Sequence, residues 1–156
     1  MALEQLGKNT VDGCVAPGIH QNILSGLGTT RTLTADESGS LILFDTAAGL
    51  VVTLPAPVAG MTFDFQVTID GTASYSVDTD AATTFMNGAV VAVSTTIAKS
   101  DSFEADGTSI VSCDLDSATT GEQIGSNLHF VAISSTVWLV SGQLHTVGAT
   151  PTTPFA

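Results

Sequence analysis

Three Asx-Gly pairs divide the middle of this chain, and each lies between short runs of strand-forming residues. The pairs are Asp70-Gly71, Asn87-Gly88 and Asp106-Gly107. A type I′ turn needs positive φ at both central residues, which Asx-Gly tolerates better than other dipeptides. Each pair is therefore predicted to be the tip of a β-hairpin. Three successive hairpins with no convincing helix between them predict an antiparallel all-β domain.

The segments around these turns have the composition and spacing of β-strands. The clearest is 62–69, where Phe63, Phe65 and Val67 alternate with polar residues, which predicts a strand with one solvated face. Further strands are predicted at 32–34, 41–44, 50–54, 73–79, 84–86, 89–93, 102–105, 108–113, 128–134 and 136–142.

The connections complete the predicted architecture. The loop 46–49 has hairpin length and links 41–44 to 50–54. A last hairpin over 128–142 contains the only tryptophan, Trp138, which is predicted to be buried. Short strands at regular spacing predict an antiparallel β-sandwich or barrel of jelly-roll-like type. A solenoid is the second choice, because the hairpins do not resemble one another in sequence.

The 156 residues are predicted to form one domain with two extensions. Residues 1–30 are rich in glycine and short on pattern, which predicts an extended N-terminal arm. The β-domain is assigned to 31–142, and 143–156 is predicted to be an extended C-terminal tail. The aperiodic segment 114–127 is either an interfacial segment or a mobile surface loop.

Charge is scarce and one-sided. Fifteen acidic residues face only Lys8, Arg31 and Lys99, for a net charge of −12. Such a chain repels phosphate backbones and anionic lipid, so neither nucleic acid nor a membrane is an expected partner. Only 12% of residues are charged, about half the usual share. The neutral surface favours an oligomer or assembly component over a monomer coated with serine and threonine.

Targeting signals and a disulfide are not expected. Residues 1–7 lack the basic and apolar regions of a signal peptide, and no apolar run has transmembrane length. Cys14 and Cys113 are interpreted as two lone thiols of a chain made in the reducing host cytoplasm, with a disulfide between them as the alternative.

No pattern predicts catalysis or a cofactor. The three histidines lack zinc-ligand spacing. Asp78/Asp80 and Asp114/Asp116 are hard-oxygen pairs that would suit calcium, but no complete calcium loop follows, and solvated turns are preferred. No nucleophile elbow or phosphate-binding glycine loop is present. An enzyme is therefore not expected, and no catalytic, cofactor-binding or metal residue is assigned.

Several stretches resemble a β-module found in virion proteins of tailed bacteriophages, including head decoration proteins, head fibres and tail-fibre segments. The similar stretches are LTADESG at 33–39, LILFD at 41–45, VTLPAP at 52–57, AGMTFDF at 59–65, ADGT at 105–108 and WLVSG at 138–142. They are turn and core positions, so the resemblance implies a fold more than a role. It carries no catalytic residues.

The resemblance implies a capsid decoration (cement) protein on the outer surface of a phage head. The expected partners are the major capsid protein and copies of the chain itself, with a trimer preferred. A head-fibre or tail-fibre component with a receptor-recognition role is the first alternative, and a small glycan-binding or glycan-cleaving β-domain is the second. The residues predicted to contact the capsid or another subunit are Leu3, Leu6, Val15, Ile19, Ile23, Leu24, Leu27, Arg31 and Lys99.

Overall fold

The computed structural model describes residues 10–11, 14–15, 21–116, 119–147 and 150–156, with side chains from residue 21 onward. These residues form thirteen strands and one 3-10 turn, Ala35–Glu37. The strands are β1 (Thr10–Val11), β2 (Cys14–Val15), β3 (Ile23–Leu24), β4 (Thr30–Thr32), β5 (Leu41–Phe44), β6 (Leu50–Thr53), β7 (Thr62–Val67), β8 (Tyr75–Asp78), β9 (Phe85–Ser94), β10 (Ser100–Asp106), β11 (Ser112–Leu115), β12 (Asn127–Ala132) and β13 (Val137–Thr146).

Two mixed sheets share one buried core, which confirms an all-β fold and is consistent with a β-sandwich. The large sheet has the strand order β10-β9-β13-β12-β7-β5-β3, and the small sheet has the order β11-β8-β6-β4. β1 and β2 form a separate antiparallel pair. The jelly-roll arrangement is not confirmed by this topology.

From β3 to β8 the chain alternates between the two sheets. Ile23 pairs with Leu41, and Leu41 pairs with Asp64, so β3, β5 and β7 are parallel neighbours in the large sheet. β4, β6 and β8 are parallel neighbours in the small sheet in the same way. This part of the chain therefore winds as a coil, with one strand in each sheet per turn.

The prediction that the strands pair antiparallel is wrong for half of the described strand pairings. Five described strand pairings are parallel and five are antiparallel. The loop 46–49 does not close a hairpin, because β5 lies in the large sheet and β6 in the small one. The last predicted hairpin is confirmed as β12 paired with β13.

None of the three Asx-Gly pairs is a hairpin tip. Asp70-Gly71 lies between β7 and β8, and Asp106-Gly107 between β10 and β11, so both pairs lie where the chain crosses from one sheet to the other. The Asp106 carboxylate accepts hydrogen bonds from the backbone N–H groups of Thr108 and Ser109, which closes a local turn without pairing the flanking strands.

Asn87-Gly88 lies inside the ten-residue strand β9. Gly88 has φ +125° and is opposite Val140 of β13. A Cβ at Gly88 would lie 2.1 Å from the Val140 carbonyl oxygen. Glycine is therefore needed here for a close approach between two strands rather than for a turn.

Aromatic rings join the two inner faces. Phe44 of the large sheet stacks on Tyr75 of the small sheet with ring centroids 4.6 Å apart. Phe65 packs on Phe44 at 5.6 Å and against Phe130 at 5.5 Å. Trp138 is fully buried, as predicted, although its indole Nε1 has no hydrogen-bond partner among the described residues.

The C-terminal residues lie along the edge of the small sheet. The N–H of Asp114 donates to the Pro154 carbonyl at 2.7 Å, and the N–H of Ala156 donates to Ser112 at 3.2 Å. Phe155 is only 7% exposed and belongs to the core. β13 continues to Thr146, beyond the predicted end of the domain at 142, and the proposed domain limits stay a prediction.

Replacing Gly88 with alanine tests the position of Asn87-Gly88. Gly39→Ala is the control, because Gly39 also has positive φ (+86°) but open space around its Cβ position. The positive φ alone costs about 1–2 kcal/mol, so both variants lose that much. Overlap with the Val140 carbonyl should cost Gly88→Ala about 2 kcal/mol more in urea unfolding. Equal losses would indicate an exposed turn at Gly88.

Candidate functional site

The predicted contact residues are only partly within the described chain. Leu3, Leu6 and Ile19 lie outside the described residues. Val15 belongs to β2, but its side chain is not described. The remaining five are Ile23, Leu24, Leu27, Arg31 and Lys99, and they do not form one cluster.

The edge strands β3 and β4 bring four of these residues to the same side of the molecule. Ile23 is 56% exposed, whereas Leu24 and Leu27 are half-buried against the core. Lys99 lies between β9 and β10, at the opposite edge of the large sheet. Its Nζ donates a hydrogen bond to Thr150 Oγ1 at 3.3 Å.

Arg31 is held within the protein by an ion pair with Glu37. The backbone N–H of Thr34 donates to Glu37 Oε2 at 2.7 Å, and the Thr34 hydroxyl donates to the same atom at 3.0 Å. Burial alone would raise the pKa of Glu37, but the hydrogen bonds from Thr34 and Arg31 and the charge of Arg31 outweigh it. The pKa of Glu37 is therefore lowered from 4.5.

Four adjoining strands of the large sheet, β7, β12, β13 and β9, carry little charge on their outer face. Asp64 is the only acidic residue in the fully described strands β7, β12, β13 and β9, and these strands contain no Lys or Arg. Val91 is 45% exposed and Leu139 is 40% exposed on this face. Val131 lies beside Leu139 across the β12–β13 pair. With strands about 4.8 Å apart, the four strands form a face of roughly 500 Å².

One polar cluster interrupts this face. His129 Nδ1 lies 2.5 Å from Asp64 Oδ1, and the side-chain amide of Gln21 donates to Asp64 Oδ2 at 2.6 Å. Both acceptor oxygens of Asp64 therefore have partners within the chain. The cluster places the last residues before β3 on the outer face of β7.

The outer face of the small sheet has a depression of about 620 Å³ that contains paired carboxylates. Ser76 Oγ lies 2.5 Å from Asp78 Oδ1 and 2.7 Å from Asp114 Oδ1. A hydroxyl has one proton, so Ser76 donates to one of these carboxylates at a time. Because both Oδ1 atoms contact the same hydroxyl, they lie at most about 5 Å from each other.

The acids of the two hard-oxygen pairs, Asp78/Asp80 and Asp114/Asp116, are regrouped by the pairing of β8 with β11. Asp78 and Asp114 lie on adjacent strands, and Asp80 lines the same depression. Asp116 instead accepts hydrogen bonds from the backbone N–H groups of Thr119 and Thr120. Within the ranges that the structure describes, no group of three or more His, Cys, Asp or Glu residues has the geometry to hold a metal ion.

Two acids of the large sheet, Asp64 and Glu104, are too far apart to act as a glycosidase pair. Asp64 and Glu104 lie on strands β7 and β10, which three other strands separate. That spacing is about 19 Å, well beyond the separation of a catalytic carboxylate pair.

A second acidic cluster surrounds Tyr75 at one end of the core. The Tyr75 hydroxyl lies 2.9 Å from the Thr46 carbonyl oxygen and 3.2 Å from that of Ile69, and it donates its one proton to one of them at a time. Burial, followed by the charges of Glu122, Asp45 and Asp70, raises the pKa of Tyr75 to about 12. This tyrosine is therefore a structural hydrogen-bond donor rather than a general base.

Cys113 is a free, fully buried thiol. Burial, with a smaller contribution from Asp114, raises its pKa far above the usual range. The thiolate is the reactive form of cysteine, so this thiol is inert in the folded protein. The side chain of Cys14 lies outside the described residues.

Two features of these clusters were missed from the sequence. The serine partners of the carboxylates are visible as a repeated Ser-x-Asp pattern in 76–78 and 112–114, which places serine and aspartate on one face of a strand. Glu122 had no such signal, because it lies in an aperiodic loop and its burial depends on contacts with a distant loop.

No protein-family model matches this chain, and no curated protein or solved structure matches it either. The resemblance to phage virion modules therefore stays a prediction. Across the described ranges, no helix is long and apolar enough to cross a membrane.

Removing Arg31 should destabilise the protein more than removing Lys99. Arg31→Met leaves the half-buried Glu37 without its ion partner and should cost about 1 kcal/mol in urea unfolding at pH 7. The Glu37 pKa is lowered by folding, so its contribution is present above pH 4.5 and is lost as pH falls below that value. The penalty of Arg31→Met should therefore shrink at pH 3.

Lys99→Met is the matched control, since it also removes one cation but breaks only an exposed hydrogen bond. Its expected cost is below about 0.5 kcal/mol. An equal cost for both variants, or a penalty for Arg31→Met that does not depend on pH, would contradict the internal role of Arg31.

Proposed function

We propose that this protein is a structural virion component, a capsid decoration (cement) protein on the outer surface of a phage head. Its partners would be the major capsid protein and further copies of the chain, with a trimer as the preferred assembly. The mechanism is mechanical: the β-domain covers junctions between capsid subunits and holds them together. Many weak contacts of this kind reinforce one another through multivalency.

The outer face of the large sheet carries this proposal. Val91 and Leu139 give it exposed apolar area, with the half-buried Val131 beside Leu139, and Asp64 is the only acid in the four strands β7, β12, β13 and β9. Most acids of this chain of net charge −12 lie outside these four strands, although Glu104 of β10 pairs with Ala89 at one edge of the face. The part of the face away from β10 can therefore approach an acidic partner or another copy with little repulsion. Exposed apolar patches of a few hundred Å² are typical of interaction sites.

The N-terminal arm would provide a second contact. β3 and β4 are the end strands of the two sheets, so each presents an unpaired backbone edge in the described structure. β3 belongs to the predicted arm, 1–30, and carries the exposed Ile23. Strand addition at such edges supplies backbone hydrogen bonds without requiring a deep pocket. The C-terminal residues would contribute less, because 154–156 already pair with β11.

A head-fibre or tail-fibre component remains the first alternative. The same β-domain would suit a fibre shaft, and copy number separates the two roles. A decoration protein is present in hundreds of copies per head, and a fibre protein in tens or fewer.

A glycan-binding or glycan-cleaving domain is favoured by one observation, the Asp78–Asp114 pair in its depression. Carboxylates accept hydrogen bonds from sugar hydroxyls, and most glycosidases use a pair of them. The described lining contains no aromatic residue on which a sugar ring would stack. A glycan-binding or glycan-cleaving function is therefore the second alternative.

Capsid binding by variants of the large-sheet face tests the main proposal. Leu139→Asp adds a charge to this face, whereas the control Val58→Asp adds the same charge at an exposed residue in the β6–β7 connection. We expect wild type and Val58→Asp to saturate heads of the parent phage in co-sedimentation, with hundreds of copies per head. Leu139→Asp should bind at least tenfold more weakly. Equal binding by all three proteins would exclude this face as the contact.

The glycan alternative has its own test. A domain that uses the carboxylate pair should bind a glycan array or release reducing sugar, and Asp78→Asn and Asp114→Asn should each abolish that signal. We expect no signal from wild type. A signal that both variants lose would replace the decoration proposal with a glycan function.

A further inference from the structure

The Glu122 carboxyl is buried without a complete set of partners. Glu122 is 1% exposed, and its Oε1 has no hydrogen-bond partner among the described residues. It lies in the loop 119–126, which precedes β12. An unpaired buried carboxylate is costly, because burial removes its hydration and supplies nothing in return.

The space that Glu122 fills exists because residue 71 is glycine. A Cβ at Gly71 would lie 1.4 Å from Glu122 Oε1. The carboxyl therefore lies directly against the backbone of the loop 68–74. The Ile124 N–H donates to Asp70 Oδ1 at 2.9 Å and forms a second link between the same two loops.

Neighbouring elements place acidic groups around this contact. Asp70 comes from the loop 68–74 and Asp116 from the end of β11, and the Glu122 N–H donates to the Asp116 carbonyl at 2.8 Å. Tyr75 lies on β8, and the backbone of Glu122 bridges that of His145 on β13. Asp45, at the end of β5, contributes with Glu122 to the raised pKa of Tyr75.

The two described basic side chains have partners elsewhere in the chain: Arg31 pairs with Glu37, and Lys99 donates to Thr150. Burial is the largest cause of the raised pKa of Glu122, and the charges of Asp116 and Asp70 add to it. Together they raise the pKa of Glu122 from 4.5 to about 7.

We propose that Glu122 is a proton-operated latch, which in its neutral form holds the loop 119–126 on the loop 68–74 and on ionisation releases it. The neutral carboxyl fits against Gly71 without placing a charge in the core. The ionised carboxylate is repelled by Asp70 and Asp116 and regains water only when the loop opens. This inference does not depend on the proposed function.

The direction of the pH dependence follows from the sign of the shift. The closed loop binds the Glu122 proton more tightly than the open loop does, because the pKa is higher when the carboxyl is buried. The contribution of the latch is complete below pH 4.5, declines as pH rises, and is lost once pH passes about 7. Acidic conditions close the loop, and mildly alkaline conditions favour its opening.

Amide hydrogen exchange of the full chain at pH 5 and pH 8, with rates corrected for intrinsic exchange, tests the latch. In wild type, protection of residues 119–126 should be at least tenfold lower at pH 8 than at pH 5. Glu122→Gln keeps the shape and removes the ionisation, so its loop should be protected equally at both pH values. Glu104→Gln removes a charge at an exposed position of β10 and should behave like wild type.

Gly71→Ala keeps the test decisive if Glu122→Gln is poorly folded. The added methyl group takes the place of the carboxyl, so protection of 119–126 should be low at both pH values while the core around Trp138 stays protected. The proposal is overturned if wild-type protection does not change with pH, or if Glu122→Gln retains the wild-type change. Restoration of protection at pH 8 by calcium chloride would also overturn it, since that result indicates a cation site.

Discussion

Aromatic packing between the two sheets is the interaction on which the rest of this structure depends. The stack of Phe44 on Tyr75 joins a strand of the large sheet to a strand of the small one. A hairpin between successive strands would leave both in one sheet, with the apolar face of each pointing the same way. Alternation between sheets instead lets β5 and β6 bury their inward residues against each other's sheet, and it makes the strands from β3 to β8 parallel to their neighbours from the same segment.

Side-chain periodicity predicted the strands much better than it predicted their partners. The alternation through Phe63 and Phe65 placed β7 and its buried face correctly, and Trp138 is buried as predicted. The choice of partner strand depends on contacts between segments that are far apart in the sequence, and the residues of one strand say little about those contacts. Asn87-Gly88 shows the consequence: the dipeptide suits a turn, but the close approach of Val140 is the contact that requires glycine.

For the side-chain clusters too, the sequence predicts which residues share a face of a strand but not which distant residues they contact. The Ser-x-Asp patterns are local, so the sequence predicts that serine and aspartate lie on the same face of each strand. The proximity of Asp78 to Asp114, however, depends on the pairing of β8 with β11. Arg31 was predicted to contact the capsid or another subunit. Its ion pair is instead with Glu37, six residues away in the 3-10 turn. Glu122 is buried only because the loop 119–126, which follows β11, meets the loop 68–74, which lies between β7 and β8. The outer face of the large sheet is likewise visible only once β9 is known to lie beside β13.

Backbone nuclear Overhauser contacts of β5 test this account most directly, because the core, the outer face and the loop contacts all require the two-sheet coil. The coil predicts contacts between Ile42 and Phe65, in the parallel register that joins β5 to β7. Close Hα–Hα contacts between β5 and β6 would instead indicate the antiparallel hairpin around 46–49. That result would contradict the alternation of strands between sheets.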